Sequence, residues 1–71
     1  MTQDIQSGDL VVFSYIEGMS SFYERQFNGY IVEVMGVLYP LEDYKYPYKI
    51  KYPNGYVDWV MTTQLNLVFT K

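Results

Sequence analysis

The side chains able to do chemistry fall in three short stretches of this 71-residue chain. Glu42-Asp43 is its one pair of adjacent carboxylates. On extended backbone such neighbours point apart, so they do not make a general acid/base couple. Between Tyr44 and Tyr52, Lys45, Lys49 and Lys51 alternate with tyrosines. Rings beside ammonium groups are the usual platform for single-stranded nucleic acid. Here a period of two puts Tyr44, Tyr46, Tyr48, Ile50 and Tyr52 on one face and the lysines on the other. Three lysines also release few counterions, so nucleic acid through Lys45, Lys49 and Lys51 stands as the weaker expectation. The third set is Tyr23, Phe27, Tyr30, Tyr56 and Trp59, with Glu24 and Asp58 nearby. A minimal core does not need all of these rings, and an exposed aromatic patch favours protein contact. The expected binding surface is therefore these five rings, with Glu24 and Asp58 as its polar rim.

Missing residue types narrow the chemistry further. The chain has neither cysteine nor histidine. It therefore has no disulfide, no thiolate nucleophile and no imidazole base or ligand. It also has no glycine-rich phosphate loop. The expectation is a chain that is not an enzyme and uses no cofactor and no metal.

The elements that must position these groups read as short strands. Gly8-Asp9 opens Leu10 to Ile16, and Asn28-Gly29 opens Tyr30 to Met35, both rich in β-branched and aromatic residues. Gly18 to Ser21 marks a turn, and Phe22 to Phe27 suits a folded-back loop. Tyr44 to Tyr52 forms a third strand, regular from Tyr48 because Pro47 lacks a ladder donor. Pro53-Asn54-Gly55 predicts a tight hairpin, with Asn-Gly supplying positive φ. Tyr56 to Met61 follows. Thr62 to Leu65 reads as one helical turn with a threonine cap, and Asn66 to Thr70 as the last strand. The expected core is Val11, Phe13, Ile31, Val34, Ile50, Tyr52, Val57, Val60, Leu65 and Leu67.

A chain of 8.4 kDa should expose ~4,600 Å² when folded, enough for one domain and one small core. Residues 1–7 are polar and predict a flexible N-terminal segment, with a single domain over 8–71. Half the residues are apolar (49%), 20% are aromatic and the net charge is −3, so bulk charge does not favour nucleic acid or membrane. No apolar run reaches membrane-span length and the N-terminus lacks signal-peptide features, which predicts no membrane association and a cytoplasmic location. Residues 1–43 carry −6 and residues 44–71 carry +3. If the fold separates these groups, the molecule is dipolar, with an acidic face suited to a basic protein surface or to imitating nucleic-acid phosphates.

Five strands, one tight hairpin and a 3-10 turn before the last strand describe an all-β, five-stranded SH3-like barrel. Gly8-Asp9-Leu10-Val11, Gly29 to Val34, Tyr48 to Val60 and Leu65 together resemble the pattern of Tudor-like and Agenet-like modules over residues 8–68. That resemblance implies a non-catalytic binding module, and in several such modules an aromatic cage holds a methylated side chain. Phe27 matches one cage position. The acidic-tyrosine-glycine triplet of the family reads Pro53-Asn54-Gly55 here, so the cage is incomplete and methyl-amine reading is not implied. Another SH3-like type, a short plasmid-borne dihydrofolate reductase, has Val-Gln-Ile-Tyr lining a shared pore. Val57-Asp58-Trp59-Val60 keeps only its first valine. The small acidic domain also resembles accessory proteins of bacterial viruses, which bind and redirect a host enzyme in the host cytoplasm. The resulting expectation is a module that binds another protein. Weak nucleic-acid binding and a homo-oligomer with a shared site are the alternatives.

Overall fold

The computed structural model describes residues 4–16 and 22–69. Five strands carry the chain: β1 (Leu10–Phe13), β2 (Ile31–Val37), β3 (Tyr48–Lys51), β4 (Val57–Val60) and β5 (Leu65–Phe69). All neighbouring pairs are antiparallel, and the strands form one sheet in the order β4-β3-β2-β1-β5. The remaining elements are a five-residue helix, α1 (Phe22–Gln26), and two 3-10 turns, Leu41–Asp43 and Thr62–Gln64. The fold is therefore all-β and barrel-like. Its accessible surface of 4686 Å² matches the expectation for a compact chain of this mass. No helix among the described residues is long and apolar enough to cross a membrane.

Local chemistry accounts for the connections. Gly29 and Gly55 adopt positive φ (86° and 90°), which side chains other than glycine rarely tolerate. At the β3–β4 turn, Gly55 N–H donates to the Tyr52 carbonyl and Tyr52 N–H donates to the Tyr56 carbonyl. Asn54 Oδ1 accepts from Tyr56 N–H at 3.0 Å. Asn54 itself keeps negative φ, so Gly55 alone supplies the positive value expected of the pair. This is the three-residue connection with a glycine bulge rather than a primed two-residue turn. Two further bulges bend the sheet, at Met35 between β2 and β3 and at Val68 between β1 and β5.

Alternation along these strands sorts the core. Val11, Phe13, Val34, Ile50, Tyr52, Val60 and Leu65 are buried as expected, and Leu67 packs against them half-buried. Ile31 and Val57, expected inside, are exposed. The ladder sets their parity: Ile31 and Val34 are three apart and cannot share a face of a regular strand, so Val32 takes the inward place. Tyr48 also joins the core; burial makes its phenol harder to ionise, and the neighbouring Thr62 side chain opposes that.

The ends and loops differ from the sequence reading in three places. Ile5, inside the segment expected to be flexible, is buried in the core. The Gly8-Asp9 turn holds it there: Gly8 N–H donates to Val34 O at 2.7 Å, and Asp9 Oδ2 accepts from Gln6 N–H at 2.9 Å. Phe22 to Gln26 forms α1 where a loop was expected. The turn before β5 is capped by Gln64, whose Oε1 accepts from Met61 N–H at 2.9 Å, and not by a threonine hydroxyl. Met1–Gln3 and the expected turn at Gly18 to Ser21 lie outside the described residues.

Candidate functional site

Tyr52 organises the aromatic residues. It follows β3 directly and points inward, fully buried. Phe13 of β1 meets it edge to face at 5.5 Å, and Phe27 stacks on it at 5.2 Å with the planes 20° apart. Tyr56 also lies nearly parallel to it, at 6.1 Å and 12°. Tyr30 meets Phe27 edge to face at 5.2 Å. These rings form one connected column running from the core to the surface. Tyr30 (52%) and Tyr56 (48%) are its exposed ends. Parallel and edge-to-face contacts of this kind add to the energy of burial itself, so the column is a stiff platform.

Two carboxylates lie beside the column. Tyr52 Oη donates to Asp58 Oδ2 at 3.1 Å, and Asp58 Oδ1 accepts from Trp59 N–H at 2.9 Å. Glu24, on α1, accepts from Gln64 Nε2 at 2.8 Å. Burial pushes the Glu24 carboxyl above its ordinary value; the Gln64 hydrogen bond opposes that and the Asp58 charge adds to it. The Tyr52 phenol is raised well beyond its usual range, first by burial and then by the charge and hydrogen bond of Asp58. It therefore stays protonated and keeps donating to Asp58. Among the described residues no three His, Cys, Asp or Glu side chains come close enough to hold a metal ion.

The structure divides the expected surface. It brings together Phe27, Tyr30, Tyr56, Glu24 and Asp58. Phe27 is only 6% exposed and Glu24 only 4%, so neither belongs to an exposed patch or polar rim. Phe27, the residue after α1, is drawn in by stacking on Tyr52, and Glu24 by the hydrogen bond from Gln64. Asp58 is half-buried and does border the patch. Trp59 is 41% exposed but points to the opposite face of β4 from Asp58, away from the column. Tyr23 lies on α1, and its side chain is outside the described residues.

Gln64 was missed in the sequence reading although it is the best-connected polar side chain here. Fully buried, it bonds Met61 N–H, Glu24 and the Ser14 carbonyl, the last at 3.3 Å. A readable signal existed: a glutamine three residues after a helical N-cap reaches back to the cap N–H. The expected dipole also changes, because Glu33 of β2 stands directly opposite Lys51 of β3. At this pair the two halves of the chain bring opposite charges to one face of the sheet.

No family model, curated protein or solved structure matches this chain.

Proposed function

We propose that the chain is a non-catalytic module that binds a partner protein through the Tyr30–Tyr56 end of its aromatic column. The observation that carries this reading is the column itself. Two half-exposed tyrosines are braced by buried Phe27 and Tyr52 and bordered by Asp58. Tyrosines held in place before contact lose little entropy on binding, which is why such rings dominate interface energies. The bordering carboxylate suits a partner with a basic side chain beside its apolar contact. The resemblance to Tudor-like and Agenet-like modules, which are binding domains, supports the same class.

Capture from a cell lysate tests the reading. The immobilised chain should retain a specific partner, and Tyr30→Ser with Tyr56→Ser should abolish capture while the circular dichroism stays that of the parent. Trp59→Ser should leave capture intact. Retention by the double tyrosine variant would refute this surface.

A further inference from the structure

Within β3, rings and lysines lie on opposite faces, but across the sheet a ring and lysines share one face. The β3–β4 ladder places Trp59 directly opposite Lys49, and Val57 directly opposite Lys51. Directly paired residues share a face with Cβ atoms ~4.5–5.5 Å apart, and Lys51 is a diagonal neighbour of Trp59 within reach of a long side chain. Trp59 is 41% exposed on this outer face, so a large ring stands beside two ammonium groups. Lys45 is not part of the group. It precedes β3, with Nζ 5.6 Å from the Tyr46 ring centre.

We propose that the outer face of β3 and β4 binds single-stranded nucleic acid, with one base stacked on Trp59 and phosphates held by Lys49 and Lys51. A nucleotide carries a π-face and an anion on one repeating unit, which is what this face complements. An acidic protein segment would use the charges but leave the indole without a stacking partner. Duplex does not fit, because its bases are already stacked on one another. The net charge of −3 opposes attraction at long range, so affinity is low, with a dissociation constant on the order of 10⁻⁴ M. Glu33, opposite Lys51 on the same face, weakens it further. This site lies on the other face of β4 from Asp58 and does not depend on the protein-binding reading.

Trp59 is the only tryptophan in the chain, so its emission reports on this site alone. An oligothymidylate about 12 nucleotides long spans a typical single-strand site. Titrated at about 20 mM salt, where screening is weak, it should quench Trp59 in a saturable way. The logarithm of the binding constant should fall against that of salt with a slope of about −1.4, the value for two lysines on a single strand. Lys49→Glu with Lys51→Glu should remove the quenching, and so should the milder pair Lys49→Ala with Lys51→Ala, each checked for an unchanged circular dichroism spectrum. Glu33→Gln should tighten binding roughly twofold, in line with one cross-strand charge contact. Four results would each overturn the proposal: unchanged emission, quenching that survives loss of both lysines in folded protein, equal quenching by polyglutamate, or equal quenching by a duplex of the same length.

Discussion

The two aromatic regions on either side of β4 are built in opposite ways. Around Tyr52, four rings are locked by contacts with one another, and the nearby carboxylates are tied down by Tyr52, Gln64 and the Trp59 backbone. On the outer face, Trp59 stands on the β3–β4 ladder directly opposite Lys49 and diagonal to Lys51. Polar groups beside the inner column are buried and must be satisfied by protein. Lys51 beside Trp59 is exposed and Lys49 is half-buried. Ring count by itself does not separate a structural aromatic from an available one; the number of contacts that already hold it does.

The sharpest way to break this comparison is to delete one ring from each region. Phe27→Ala should cost about 3–4 kcal/mol, because it empties the place between Tyr52 and Tyr30. In a domain whose total stability is roughly 5 kcal/mol, the denaturant midpoint should collapse. A midpoint near that of the parent would show that the column is not held together as described.

Gln64→Ala should follow at on the order of 3 kcal/mol. It leaves Met61 N–H, the Ser14 carbonyl and Glu24 short of a partner in a dry site. Urea unfolding would measure this, and a loss below about 1 kcal/mol would mean water replaces the side chain.

Glu24→Gln sharpens the contrast through pH. Burial raises the Glu24 pKa, so the folded protein holds this proton more tightly than the unfolded chain does. Stability contributed by this group therefore falls as pH rises from the ordinary carboxylate value to the raised one, and returns on acidification through that window. The glutamine variant can still accept from Gln64. It should melt higher than the parent at neutral pH and should lack this part of the pH dependence. An unchanged slope between neutral and mildly acidic pH would assign the dependence elsewhere.

The smallest effect belongs to the outer face. Trp59→Ser should alter stability by no more than about 0.5 kcal/mol, as for a surface substitution away from packed features. A loss near that of Phe27→Ala would place Trp59 in the core energetics and remove the distinction between the two regions.

Much of the fold was legible because strand signals here are local. Period-two alternation from Tyr48 to Tyr52, the Pro53-Asn54-Gly55 turn and the single turn at Thr62 to Gln64 all appear where the residues predict them. Parity was less legible at Ile31 and Val57, since apolar residues occupy both faces of those strands and only the ladder chooses between them. The candidate site was half legible. Tyr30, Tyr56 and Trp59 are exposed as expected, while Phe27 and Glu24 are not. Phe27 is buried against Tyr52, 25 residues along the chain, and Glu24 is bonded by Gln64, 40 residues along, so no local pattern carries either.

By itself the sequence determined the number of strands, the turn before the last of them and the absence of thiol and imidazole chemistry, because propensity, alternation, turn residues and composition are properties of neighbouring residues or of the count. Tertiary structure alone decided which rings become mutual supports and which remain open, and that Trp59 of β4 faces Lys49 of β3 while Glu33 of β2 faces Lys51. The physical reason is register. Pairing across strands is set by how the whole sheet buries its inner face, and a shift of one residue would exchange every inward side chain for its outward neighbour.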